Sequence, residues 1–476
     1  MENTKLYNIL EYFDKYEHNR LYKYINSPYF NRHEAIIHLY ELIKKHIFGK
    51  RARSLEKEKV WKKIYPGEAY DDVRFRKLAS DLLKLVEGFM AQKVYEENPL
   101  HKAAYLIEAV GKHKMDRLFS TAEKTARRLS GQQLQRSASF YFYQYQIERN
   151  IYELVTHASY QRDQKTNLEK VLNNLDWFYL AEKLKYLCSI QSQQTVIAHE
   201  YKLLFIDEII EHIEKYKEAY ENIPLISIYY QIYLTQTDME NEAHYFKLIE
   251  LIDRYITDFP PAEGNYIFNY TLNYSIRKVN RGKREFLREY HEVFKSSLKG
   301  EFLLDDGRLS PWHFRNGIGV ALRLGEYDWV EYFIQTYSEM LPPNLRENAV
   351  SFNTATLRFY QKKYDKVIEL LREIEYDDLT YNLNSKTMLL LTYYEIDEYD
   401  PLEALLESFR AYLNRHKSTI PDNRRKSFMD LIRFTRKLIR IIPGDKTALD
   451  KLKKEVDETK GIASEKWLRE KIAELE

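Results

Sequence analysis

His33 and His38, in the stretch His33-Glu34-Ala35-Ile36-Ile37-His38, are the first residues whose types could do chemistry. A zinc site on one helix needs histidines four apart, so that both imidazoles leave the same face. Five apart, they stand about 140° out of line on a straight helix and cannot share a metal. The one cysteine, Cys188, excludes an internal disulfide and a cysteine-rich zinc site. Its setting, Leu184-Lys185-Tyr186-Leu187-Cys188, is apolar and helical, which predicts a buried thiol. No Gly-x4-Gly-Lys-Ser/Thr, Gly-x-Gly-x-x-Gly or Gly-x-Ser-x-Gly is present. Gly317-Ile318-Gly319 is read instead as small residues that let two helices approach. These observations point to a protein that is not an enzyme, with no catalytic, cofactor or metal residues and no cofactor.

Charge offers a second chemistry. Net charge is +2, yet residues 1–140 hold 27 Lys/Arg against 18 Asp/Glu. Lys44 to Lys63 carries nine Lys/Arg against two Glu, then Pro66-Gly67 turns the chain and Asp72 is expected to cap a helix from Val73 to about Ala91. Helix, turn, cap, helix is similar to the DNA-binding half of bacterial activators that carry tetratricopeptide domains behind a winged helix. On that reading Lys50, Arg51, Arg53, Arg74 and Lys77 would face nucleic acid. Two features count against it: no strand-like wing follows Met90, and Asp81 in the middle of the helix face repels phosphate. The other reading is a helical cap with a solvated basic loop.

The elements that must position such residues follow from composition. Glycine (14) and proline (12) are scarce in 476 residues, and hydrophobic residues make up 44%. Few turn formers and ample core material leave helix as the dominant structure. Apolar residues at helical spacing recur from Leu6-Ile9-Leu10-Phe13 onward, and Ser27-Pro28 stops an early helix. Ser27-Pro28-Tyr29-Phe30-Asn31 resembles a phrase of bacterial proteins of similar layout. Second helices of successive pairs are expected near Lys114, Glu200, Asn241, Lys283, Glu326, Tyr364 and Tyr399. Breakers stand at Pro224, Pro260-Pro261, Gly282, Gly300, Pro342-Pro343, Pro421 and Pro443-Gly444. Lys299 to Leu309 is the expected long loop. No signal peptide and no run of eighteen apolar residues is found, so a cytoplasmic protein with no membrane insertion is expected.

A Tyr-Asp pair returns at Tyr327-Asp328, Tyr364-Asp365 and Tyr399-Asp400, at steps of 37 and 35 residues. Units of that length stack because none can bury its apolar face alone. Leu324-Gly325-Glu326-Tyr327-Asp328, with Phe314 before it and Pro342 after, resembles the tetratricopeptide (TPR-like) repeat. Lys362 stands where the turn glycine of the family would be, and Asn414 where its closing proline would be.

The resemblance implies an α-solenoid of antiparallel helix pairs that binds a protein or peptide on its first helices. The inner positions carried over are Arg315, Asn316 and Gly319, then Phe352, Asn353 and Thr356, then Thr387, Met388 and Leu391. Arg315, Asn316 and Asn353 are the candidates to grip an acidic or extended peptide. The expected layout is therefore all-α: a helical cap over 1–99, a repeat array over 100–420 and capping helices over 421–476. A protein- or peptide-binding scaffold is the expected function, with nucleic-acid binding through 44–91 as the alternative.

Overall fold

Where turn formers are few and apolar residues recur at helical spacing, helix follows, and the regular elements of the described residues are helices apart from one short hairpin. The structure, a computed structural model, describes every residue except 50–54, 114, 134, 159–165, 195–198, 200, 373–378, 443 and 476. No described helix is long and apolar enough to cross a membrane. Packing divides the chain into two units, Met1–Lys185 with Phe205–Lys217 and Tyr186–Leu204 with Glu218–Glu476. These limits come from packing and differ from the sequence-drawn boundaries at 99/100 and 420/421.

In the first unit, helices Lys5–Tyr12, Lys15–Ile25, Glu34–Phe48, Lys57–Ile64 and Asp72–Glu97 enclose a core that includes Leu10, Leu21, Tyr40, Trp61 and Leu82. The early break at Phe13 comes from a capping box. Glu17 N donates to Asp14 Oδ1 at 2.7 Å and Asp14 N donates to Glu17 Oε2 at 3.1 Å. The cap of the long fifth helix is Asp71, not Asp72: Asp71 Oδ1 accepts from the amides of Val73 and Arg74. That helix also runs on to Glu97, beyond the expected end at Ala91, and stops at Asn98, which caps the next helix, Pro99–Lys112.

The second unit is a succession of helix pairs: Pro224–Thr237 with Ala243–Tyr255, Pro261–Asn280 with Phe286–Lys299, and Pro311–Leu324 with Tyr327–Tyr337. Pro343–Tyr360 with Tyr364–Arg372, and Leu379–Glu395 with Tyr399–Arg415, continue them. Asp422–Leu438, Lys446–Glu458 and Glu465–Glu474 follow. Each first helix of the five pairs packs on its own partner. Proline opens four of the first helices, where its fixed φ suits N1 and its missing N–H costs nothing. The second helices from Ala243 onward begin within three residues of their expected starts. The apolar spacing of the Asp422–Leu438 helix turns Phe428, Leu431, Ile432, Thr435, Leu438 and Ile439 inward; the first five are buried, and Ile439, at the C-cap, is half-buried.

Four of the pairs share one backbone device. Gly282, Gly325, Lys362 and Asp397 all sit in the left-handed region, with φ of 95°, 79°, 57° and 58°. At each, the next residue's N–H reaches back to the first helix: Lys283 to Lys278 O, Glu326 to Ala321 O, Lys363 to Arg358 O and Glu398 to Tyr393 O. This is the Schellman closure, which satisfies carbonyls that a helix end leaves open. Lys362 therefore takes the conformation of the turn glycine without being one. Gly325→Ala is expected to lower stability by about 1 kcal/mol, and Lys362→Gly to raise it by somewhat less, since only the Cβ resists this conformation. Urea midpoints of the two variants check this. Equal midpoints would mean that the turn does not hold its shape.

Within the expected loop at Lys299–Leu309, Leu304–Leu309 form a tight β-hairpin. Leu304 pairs with Leu309 and Asp305 with Arg308. Asp306 and Gly307 turn the chain with φ of 49° and 70°, the two positive values that a type I′ turn requires. Leu303 and Leu309 are buried, and Phe302 O accepts from Asn265 Nδ2 at 2.7 Å. The insertion is thus fastened to the Pro261–Asn280 helix.

Candidate functional site

The Pro311–Leu324 helix has a sharply divided surface. Ser310 Oγ caps it by accepting from Trp312 N at 3.2 Å, and Gly325 closes it. His313, Phe314, Gly317, Ile318, Ala321 and Leu322 face inward. Trp312, Arg315, Asn316, Gly319 and Arg323 form the opposite stripe, with Trp312 49% exposed. Arg315 and Asn316 are half-buried and make no hydrogen bond or ion pair among the described residues. Between them and Arg323, a Cβ on Gly319 would meet nothing within 4 Å. The stripe thus offers an aromatic ring, a cation and an amide beside bare backbone. That combination can hold a carboxylate and lie close to an extended chain.

The other repeats do not continue this surface. Asn353 is only 1% exposed and donates its amide to Ala349 O at 2.7 Å, so it is part of the interior. Phe352, Thr387, Met388 and Leu391 are buried too. Of the inner positions inferred from the repeat, the first set is the open one, with Thr356 half-buried in the second. Helix Leu379–Glu395 is buried from Thr387 through Thr392, which is why a carried-over register does not make those residues a binding face.

On the Asp72–Glu97 helix, Arg74 is committed to its own fold. Its guanidinium lies over Trp61 and Tyr65, at 5.2 and 5.0 Å, and bonds Glu68 at 2.7 Å. The hydrogen bond it donates to Glu68 pushes its pKa further up. Lys77 is exposed and has no ion-pair partner among the described residues. Lys50, Arg51 and Arg53 lie outside the described residues. Asp72 gathers Tyr70 Oη at 2.7 Å, Lys57 at 3.3 Å and Arg76 at 2.5 Å, and the tyrosine bond foremost holds its carboxyl below the usual range. Much of this helix's positive charge is therefore spent locally.

Two buried polar clusters escaped sequence reasoning because their members are far apart in the chain. Glu148 is held by Arg127 at 2.9 Å and by Asn167 at 2.6 Å. Tyr229 donates to Glu263 in the interior of the second unit, while Cys188 Sγ reaches Tyr229 O at 3.4 Å. Cys188 is buried, as expected, and burial pushes its thiol pKa up, away from nucleophilic reactivity. Among the described residues no group of three or more His, Cys, Asp or Glu side chains is placed to hold a metal ion. No family model matches the chain, and no curated protein or solved structure does either.

Proposed function

We propose that the chain is a non-enzymatic scaffold of TPR-like solenoid type, working in the cytoplasm, which binds a protein or peptide through the stripe of Trp312, Arg315, Asn316, Gly319 and Arg323 on its Pro311–Leu324 helix. The observation that supports this reading is Arg315 with Asn316, held half-buried beside exposed Trp312 with no partner among the described residues. A guanidinium left unpaired in a partly dehydrated position gains by meeting a carboxylate, and a neighbouring indole supplies the apolar contact that typifies binding hot spots. Arg323 on the same stripe adds a second positive charge. The ligand class is therefore a peptide segment bearing Asp, Glu or a free carboxyl terminus.

The test is selection from a displayed peptide library on the full chain. Acidic peptides are expected to enrich, and Arg315→Glu combined with Asn316→Ala to weaken the best of them by at least about tenfold. Lys77→Glu, on the first unit, serves as the charge control and should leave binding unchanged. Peptides that bind the double variant as well as the parent would remove this stripe from the account. The nucleic-acid alternative through 44–91, on Lys50, Arg51, Arg53, Arg74 and Lys77, is the weaker reading, because Arg74 already has two rings and a carboxylate as partners.

A further inference from the structure

In the first unit the Lys15–Ile25 and Glu34–Phe48 helices leave an open cleft of about 560 Å³ between them. One stripe of each helix lines it: Lys15, Asn19 and Tyr22 from the first, and Glu41, Lys44, Lys45 and Phe48 from the second. Its exposed surface is mostly apolar, with two aromatic rings, Tyr22 and Phe48, among the lining residues. Phe48 is 51% exposed although it meets the buried His18 ring at 5.0 Å, so half of a large apolar side chain faces the cleft and solvent. The Tyr22 ring is stacked on buried Tyr40 at 6.3 Å and carries the Lys44 ammonium 5.6 Å from its centre.

The polar groups around this wall are sorted by charge. Lys15 and Lys45 have no ion-pair partner among the described residues, and Lys44 only donates to Asn19 Oδ1 at 3.1 Å. Glu41 is the single carboxylate among the described residues that line the cleft. It accepts from Tyr22 Oη at 3.1 Å through Oε1, which leaves Oε2 for another donor. An aromatic wall, three ammonium groups and one fixed acceptor call for a flat ring that carries anionic charge at one end and N–H donors at another. A nucleobase with its phosphate has that constitution: stacking on aromatic side chains and phosphate contact with lysine are the two terms that hold single strands. A duplex keeps its bases inside and cannot present one to the cleft. A fatty acid would want enclosure, and this cleft is open.

We propose that the cleft binds one nucleotide unit, with its base against Phe48 and Tyr22 and its phosphate among Lys15, Lys44 and Lys45. Glu41 then favours bases with an exocyclic amine, as carboxylates accept from the cytosine amino group. The unit comes either from a single strand or from a free nucleotide. The site belongs to the first unit and the peptide stripe to the second, and neither reading depends on the other.

Fluorescence anisotropy on the full chain, with labelled ten-nucleotide oligo(dC) and oligo(dT) and with CMP as competitor, tests this. Oligo(dC) is expected to bind about tenfold more tightly than oligo(dT). Lys15→Gln with Lys45→Gln alters two exposed side chains, so the fold is retained. It should weaken binding by about tenfold and make the log–log salt dependence shallower by about 1.4. Phe48→Ala should weaken it by a similar factor, and Glu41→Gln should erase the preference for cytosine. Displacement of the strand by CMP at micromolar concentration identifies a free nucleotide as the ligand, and its failure identifies a strand. No binding of oligonucleotide or CMP at low salt, binding unchanged by the lysine pair, or equal affinity for a duplex each overturns the proposal. Equal affinity for the two strands overturns the role given to Glu41.

Discussion

Lys278→Ala is expected to destabilise the second unit by about 3 kcal/mol, read as a lower urea midpoint. Lys278 is 1% exposed, yet its ammonium is 2.8 Å from Glu242 Oε1, 3.7 Å from Glu240 Oε2 and 3.4 Å from Met239 O. Its nitrogen also lies 6.0 Å from the Tyr274 ring centre and 5.7 Å from that of Phe286. The side chain therefore joins the turn after the Pro224–Thr237 helix to the end of Pro261–Asn280 and the start of Phe286–Lys299. Truncation removes a long apolar stem from a packed site and leaves the turn's carboxylate and carbonyl without their cation. Lys278→Met keeps the stem and loses only the charge. Glu242 is 30% exposed and retains Lys283 at 3.5 Å, so the methionine variant should lose about 1 kcal/mol. Equal losses in the two variants would show that charge, not packing, dominates.

The same contact sets a pH dependence. The hydrogen bond from Lys278 foremost holds the Glu242 carboxyl below its usual range. A carboxylate lowered in the folded state contributes stability that is fully present above its unfolded pKa and is lost as pH falls through the folded one. The gap between parent and Lys278→Met should therefore narrow as pH drops below the carboxylate range.

Sequence periodicity located the helix pairs because each pair is a local event: an apolar stripe, a proline start and a closed turn. Lys362 shows the limit of that reading. Its left-handed turn is invisible in residue type, since lysine carries no preference for positive φ, and only the recurrence of Tyr-Asp two residues later marks its place. The hairpin at Asp306-Gly307 carried a legible signal, the Asp-Gly pair of a type I′ turn, but its flanking strands are two residues each and show no alternation to support it. Sites fared less well, since exposure is decided by neighbours distant in sequence. Asn316 and Asn353 occupy the same repeat position, yet one is half open and the other sealed. Likewise the Lys15–Phe48 cleft pairs two helix stripes whose closeness no local motif announces.

Gly317→Ala and Gly319→Ala, two residues apart on one helix, are expected to shift stability in opposite directions. A Cβ on Gly317 would lie 2.4 Å from Cε1 and 2.5 Å from Cζ of Phe294. That ring is fully buried and cannot retreat: Tyr290 stacks on it at 6.0 Å, while Phe333 and Trp329 meet it at 5.8 and 6.4 Å. Overpacking of this kind costs about 1–3 kcal/mol, against about 1 kcal/mol gained by replacing glycine in a helix. A net loss of about 1–2 kcal/mol is therefore expected for Gly317→Ala. Gly319 faces open space, so its alanine variant keeps the helix gain of up to about 1 kcal/mol without a clash. Thermal or urea unfolding of both variants checks the signs, and a stabilised Gly317→Ala would mean that the Phe294 cluster yields more readily than its packing implies. Gly319 carries a second consequence. Its methyl would stand on the stripe between Arg315 and Arg323, so a peptide lying there should bind Gly319→Ala more weakly although the protein itself is more stable. Affinity that falls while stability rises separates a role in binding from a role in the fold.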